Sequence, residues 1–221
     1  MEEYTTALER YHYGFRYFLL EKDDMKNGPG LRAVLWTAGC SHACPGCQNP
    51  FTHDPNAGMD FTLEEQSKLF EYLKNPYVAG LTLSGGDPLH IRNRDGIGRL
   101  VTEVKKYFPD KSIWLYTGYN VRDIQNGELV FDRDSGGEEP FILPYSHNLD
   151  VVADGRFYEK VRQQDLKSGQ DPKWVGSSNQ RLIDVKNTIA DKEICLWQQP
   201  SYAPKRISYE ELKNIGKEVA L

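Results

Sequence analysis

Four apolar runs of strand length each break into a polar group that carries glycine. RAVLWTA (32–38) opens into GCSHACPGCQNP, and AGLTLSGGDP (79–88) ends in SGGDP. SIWLYTG (112–118) leads into TGY, and LDVVADGR (149–156) ends in DGR. Between the first two runs, DFTLEEQSKLFEYLKN has a helical pattern. Thr62 and Glu65 form a capping box there, and Leu63, Phe70 and Leu73 share a face. Between the second and third, Ile97, Leu100, Val101, Val104 and Phe108 keep helical spacing. Strand, helix, strand in repeated order calls for parallel strands with helical crossovers, and an open sheet and a partial barrel both satisfy it. In either, sites gather at the carboxyl ends of the strands, where these four polar groups fall.

The remaining pattern is weaker. RLIDV and ICLW are short strand candidates, and Gly127 to Pro140 reads as an acidic loop. SYEELKNIGKEV reads as a closing helix with Ser208 and Glu211 as a second capping box. A chain of 221 residues, 39% apolar, is long enough for one good core and short for two. We expect a single domain over 1–221, with 1–26 an N-terminal elaboration, 27–189 the core and 190–221 a C-terminal strand and helix. Segment 133–147 also reads as an elaboration. No run approaches ~18 apolar residues, so no membrane span is expected. The acidic start MEEYTTALERYHYGF has no apolar stretch of the kind a signal peptide needs. A net charge of −5 argues against a nucleic-acid partner.

Three of the four cysteines, Cys40, Cys44 and Cys47, fall in one loop with C-x3-C-x2-C spacing. Such a cluster reads as metal-binding or catalytic in a reducing compartment, and the cytoplasm is the expected location. A zinc site would need two ligands beyond a C-x2-C pair. Cys195 stands alone in EICLWQ and reads as buried, and His42 and His53 read as ordinary loop histidines. A [4Fe–4S] cluster takes four thiolates when fully ligated, so three cysteines leave one iron open. An open position marks a catalytic site.

C-x3-C-x2-C followed by the Gly85-Gly86-Asp87-Pro88 turn resembles the radical S-adenosylmethionine superfamily. NGPGLR (27–32), CSHACPGCQN, LTLSGGDPL, IWLYTGY, DVVADGRF and WVGSSNQRLIDV resemble, in order, one branch of the glycyl-radical-enzyme activases. That branch activates anaerobic ribonucleoside-triphosphate reductase. The resemblance implies a partial (β/α) barrel of mostly parallel strands with the site at the C-terminal strand ends. It implies Cys40, Cys44 and Cys47 as ligands of a [4Fe–4S] cluster whose free iron takes S-adenosylmethionine. Ser84, Gly85, Gly86 and Asp87 would cradle the methionine end, Asp87 as an acceptor near the ammonium. Thr117 would bond the ribose or the carboxylate. Asp154 and Arg156 would face the carboxylate or a monovalent cation beside it, although a plain turn explains Asp154-Gly155 equally well. Many superfamily members carry an aromatic residue before the third cysteine. Gly46 stands there in this chain, as in this branch, so adenine contact passes to backbone around Gly46, Cys47 and Gln48. GSSNQR (176–181) is a signature of the branch without a derivable role.

The implied reaction is reductive cleavage of S-adenosylmethionine to a 5′-deoxyadenosyl radical, which takes hydrogen from a glycine of the partner reductase. Such chemistry needs no side-chain acid or base; it needs a dry, tightly packed site. The partner must insert a glycine-bearing loop, and a low-potential donor such as a flavodoxin must supply the electron. Two rivals stand beside this reading. One is a radical S-adenosylmethionine enzyme acting on a small molecule. The other is a zinc-stabilised binding module without catalysis.

Overall fold

The computed structural model describes residues 12–132 and 139–198. Its strands are β1 (His12–Asp24), β2 (Leu31–Thr37), β3 (Met59–Thr62), β4 (Val78–Gly85) and β5 (Ser112–Tyr116). They continue with β6 (Asn120–Gln125), β7 (Glu128–Asp132), β8 (Phe141–Leu143), β9 (Val151–Asp154) and β10 (Arg181–Asp184). The helices are α1 (Leu63–Leu73), α2 (Arg94–Tyr107), α3 (Glu159–Lys167) and α4 (Val185–Asp191). Among the described residues, seven strands form one sheet in the order β10-β9-β5-β4-β2-β1-β3, and β6, β7 and β8 form a second. The central pairs β2–β4, β4–β5 and β5–β9 are parallel, while β1, β3 and β10 are antiparallel to their neighbours. The fold is mixed α/β around a large sheet with a parallel centre.

Period-two alternation sorts the central strands into two faces. Ala33, Leu35, Leu81, Leu83, Ile113 and Leu115 enter the main core with the buried stripe Ile97, Leu100, Val101 and Val104 of α2. Each such side chain contributes about 1.5–3 kcal/mol on full burial. α1 begins at Thr62, whose hydroxyl accepts from the Glu64 backbone N–H at 3.2 Å. Glu65 reaches back to the Thr62 hydroxyl, so the capping residues are those expected, with the hydroxyl as their meeting point.

The opposite face carries Arg32, Trp36, Thr82, Ser84, Trp114 and Tyr116. Arg32 is fully buried. Its guanidinium donates to Thr82 Oγ1 at 2.7 Å, to Ser112 Oγ at 2.9 Å and to the Leu81 carbonyl at 2.7 Å, and it lies over the Trp114 ring. One side chain thereby ties β2, β4 and β5 together. Burial pushes it down to about 10, still charged at neutral pH. The preceding NGPG is explained by the same side chain. Gly28 has φ +130°, and a Cβ there would lie 2.9 Å from Arg32 Cδ.

Several expectations need correction. Gly127 to Pro140 is not simply a loop, because Glu128–Asp132 is a strand paired with β6. Asn126 and Gly127 both have positive φ, the type I′ geometry that an Asn-Gly pair signals. The passage from β5 to β9 therefore carries the small antiparallel sheet in place of a helix. The N-terminal stretch read as an elaboration supplies β1, whose Tyr13, Phe15 and Tyr17 are core residues paired through β1 with β2 and β3. ICLW makes a single bridge, Leu196 to Ile183, and Cys195 is only partly buried. The expected closing helix with Ser208 and Glu211 lies outside the described residues. No helix among the described residues is long and apolar enough to cross a membrane.

Candidate active site

The cysteine loop and the glycine turn are zipped together. Parallel register sets Thr37 against Gly85, at the carboxyl ends of β2 and β4. Beyond the ladder, Gly86 N–H donates to the Thr37 carbonyl at 2.8 Å and Asp87 N–H to the Gly39 carbonyl at 2.7 Å. Gly85 has φ +100°, and a Cβ there would stand 2.5 Å from the Thr37 nitrogen, so only glycine allows this approach. The far side of the loop is closed by Gly39 N–H to Thr52 and Cys40 N–H to His53.

All three loop cysteines are free thiols of intermediate exposure. Cys44 and Cys47 line a cavity of about 810 Å³ together with Gln48 and Ser84–Gly86. Cys40 is more enclosed. Burial, with the Asp87 charge beside it, pushes its thiol up to about 12, although the nearby His42 backbone works the other way. Burial also raises Cys47, against a 3.4 Å bond from Asn49 N–H to its sulfur. Among the described residues, no three His, Cys, Asp or Glu side chains form a group that could hold one metal ion. That is not the tight tetrahedron of a zinc knot. A [4Fe–4S] cube binds each thiolate through a different iron, so its ligands need not converge on a point. Three free thiols on one loop, and a buried His42 Nδ1 without a hydrogen-bond partner beside them, fit a cluster.

Asp87 is 1% exposed and its carboxylate is fully engaged. Thr117 Oγ1 donates to it at 2.9 and 3.0 Å, Gly118 N–H at 2.9 Å and Leu89 N–H at 2.8 Å. His42 Nε2 lies 2.9 Å from Oδ2, off the line of a hydrogen bond. His42 is therefore no ordinary loop histidine. It is 4% exposed, packs edge-on against Tyr119, and fits only because residue 118 is glycine. A Cβ on Gly118 would fall 2.5 Å from the imidazole Cδ2.

The end of β9 holds the same loop from the other side. Arg156 Nη2 donates to the His42 carbonyl at 2.8 Å. GSSNQR in turn clasps the Arg156 segment. Gln180 Nε2 donates to the Gly155 carbonyl at 2.8 Å, and Asn179 Nδ2 to the Arg156 carbonyl at 2.9 Å. Arg181 binds the buried Asp154 through Nε at 3.0 Å and also through Nη2. The signature is a scaffold for the strand end.

The 4Fe-4S single cluster domain family matches residues 26–183. Relatives of this chain carry the name anaerobic ribonucleoside-triphosphate reductase-activating protein, among them three from a phage and two bacteria. The one from Enterobacteria phage T4 is 40% identical over 159 residues, 72% of this chain and 87% of that protein. Those from Salmonella typhimurium and Escherichia coli K12 are 37% and 36% identical, over 75% and 71% of this chain and 96% and 90% of theirs. This chain belongs to the anaerobic ribonucleoside-triphosphate reductase-activating proteins.

Within this activating-protein fold, the sequence-predicted residues divide into two groups. Cys44, Cys47, Gln48, Ser84, Gly85, Gly86 and Thr117 line the one cavity. The Thr117 hydroxyl, however, spends its donor on Asp87 and accepts from Tyr119 N–H at 3.2 Å. Asp154 is fully buried and paired with Arg181. Arg156 is turned to the cysteine loop. Gly46 has φ +72°, and a Cβ there would lie 2.8 Å from Glu159 Cδ, so a side chain at this position has no room without moving α3's first residue. His42, Gly118 and Arg181 were missed as site residues. The third residue of C-x-H-x-C was the available signal for His42, the TGY turn for Gly118 and the end of GSSNQR for Arg181.

Proposed function

We propose that this chain activates an anaerobic ribonucleoside-triphosphate reductase, using a [4Fe–4S] cluster on Cys40, Cys44 and Cys47 and S-adenosylmethionine in the adjoining cavity. One observation carries the reading. Free thiols and a glycine turn face a single cavity at aligned ends of parallel strands, in a chain whose relatives bear that name. When bound, the cluster and S-adenosylmethionine supply the one-electron chemistry that removes hydrogen from a glycine of the partner.

The chain's own residues would do the rest. Three thiolates leave one iron position for the cofactor. Cys195 sits beyond β10, itself four strand steps from β2, and so stands apart from the cysteine loop. Ser84, Gly85 and Gly86 bring backbone close to the methionine end, while Cys47 and Gln48 offer backbone to adenine. We assign Asp87, Thr117, Asp154 and Arg156 to the frame that holds these groups. A cavity of about 810 Å³ is of cofactor size. Trp36, Tyr116 and Trp174 wall it with aromatic surface, which keeps water from a reactive centre. Curvature of the sheet into a partial barrel would complete that wall. The partners proposed are a glycine-bearing loop of the reductase and a low-potential donor such as a flavodoxin, in the reducing cytoplasm.

The test is anaerobic. Reconstituted, reduced protein is mixed with S-adenosylmethionine and a reductase of this class, and the EPR spectrum is recorded. A glycyl doublet on the reductase supports the proposal. Cleavage of S-adenosylmethionine without a glycyl signal would instead favour a small-molecule substrate, and a colourless protein with stoichiometric zinc would end the enzyme reading.

A further inference from the structure

GSSNQR holds a helix as well as a strand end. Tyr158 N–H, at the start of α3, donates to Ser177 Oγ at 3.2 Å. Ser178 donates twice to the Asp165 carboxylate, through its N–H at 2.9 Å and its hydroxyl at 2.7 Å. Asp165 is the buried residue of α3, which buries no apolar side chain fully, so the serine clasp sets where the helix lies. The helix so placed begins with Glu159, and Glu159 stands over the cysteine loop. A Cβ on Gly46 would fall 2.8 Å from Glu159 Cδ and 2.9 Å from Oε2. Gly46 lies between Cys44 and Cys47, so the carboxylate rests against the peptide that joins two of the proposed ligands. The hydrogen bond described for it is a neutral one, from Gln163 Nε2 to Oε1 at 3.4 Å, which leaves its charge in place.

Net charge is among the levers that set an iron–sulfur potential, because a fixed negative charge repels the electron that reduction adds. We propose that Glu159 tunes the cluster electrostatically: its carboxylate, set over Gly46 by the GSSNQR clasp on α3, lowers the potential and makes the reduced cluster a stronger donor. The inference rests on the cluster reading above. It gives the two serines of the signature a task beyond the strand end. Arg156, whose guanidinium reaches the His42 carbonyl, is the opposing charge on the same loop. Glu159 is exposed, so its influence is confined to a Debye length of about 8–10 Å, and salt weakens it.

The experiment uses the full chain, reconstituted anaerobically as wild type, Glu159→Gln and Glu159→Lys. Iron and sulfide content and the midpoint potential are read at low and high salt. Glu159→Gln removes the charge at nearly constant shape and should raise the midpoint. Glu159→Lys reverses the charge and should raise it further. Iron and sulfide should match wild type in both, because Glu159 is not a ligand, and both shifts should shrink at high salt. Ser178→Ala loosens the clasp and should raise the midpoint by less than Glu159→Gln, and combining the two should add nothing to Glu159→Gln alone. A wild-type midpoint in Glu159→Gln, or a Glu159→Lys midpoint no higher than that of Glu159→Gln, overturns the proposal. Loss of the cluster in both Glu159 variants makes the residue structural and overturns it too. A Ser178→Ala protein at the wild-type midpoint, or a shift that persists undiminished beside Glu159→Gln, overturns the part given to the clasp. Wild-type protein that takes up no cluster removes the reading beneath it, a distinct and earlier failure.

Discussion

Arg181 meets Asp154 with two guanidinium nitrogens, across the antiparallel pairing that sets these two residues directly opposite on β10 and β9. Asp154 has no exposed side-chain surface, whereas Arg181 is 37% exposed. Removing the arginine leaves a buried carboxylate with only the Val121 N–H at 2.8 Å. Arg181→Met should cost about 2–3 kcal/mol, less than the ~3–5 of a fully buried pair because solvent reaches one partner. Adding Asp154→Asn should recover part of the loss. Urea denaturation of the cluster-free chain measures both.

Two glycines with positive φ should respond very differently to alanine. At Gly85 the new methyl meets the Thr37 backbone at 2.5 Å, and neither β2 nor the turn has room to give. Gly85→Ala should cost about 3 kcal/mol or more and abolish S-adenosylmethionine binding. Gly127, with φ +79°, meets nothing within 4 Å, so alanine there pays only the left-handed backbone cost of about 1–2 kcal/mol. Equal losses in the two variants would mean that the close approach at Gly85 is not tight.

The open iron position predicts a clean division among the cysteines. Cys195→Ala should retain iron, sulfide and brown colour. Cys44→Ala, and its counterparts at Cys40 and Cys47, should lose most of the iron after anaerobic reconstitution. Loss of the cluster in the Cys195 variant would show that the fourth position is closed by protein.

Before reconstitution, Cys40 should be the slow thiol. With its thiol pushed up to about 12 against an ordinary 9.0, its thiolate fraction at pH 8 is roughly 10³-fold below that of an ordinary cysteine. Higher intrinsic nucleophilicity returns part of this, leaving alkylation about 30-fold slower. Its rate should still be climbing about tenfold per unit between pH 8 and 10, where an ordinary thiol begins to level off. Mass spectrometry after timed iodoacetamide treatment follows each cysteine. Prompt labelling of Cys40 at pH 8 contradicts the burial described.

Much of the site was legible because its signals are local. The cysteine spacing, the Gly-Gly turn and the strands before them each lie within a dozen residues, and period-two and helical patterns report burial directly. The Asn126-Gly127 turn was equally local and still passed unread, because the acidic residues around it suggested a loop. β1 and the partners of His42, Asp87 and Asp154 were another matter. The contacts of Asp154 with Arg181, of Asp87 with Thr117 and of His42 with Arg156 join positions 27, 30 and 114 residues apart, and nothing near any of them in the chain signals the partner.

The sequence by itself determined what the loop can bind and where it must sit. Three thiols in eight residues define a donor set, and apolar runs ending in glycine place it at strand ends. Only the tertiary structure decided which partner each polar residue takes. Asp87, Thr117, Asp154 and Arg156 have the chemistry of cofactor contacts. Yet a buried charge or donor takes whatever partner folding brings nearest, because leaving it unpaired costs more than any single contact returns. In this fold the nearest partners are His42, Gly118 and Arg181.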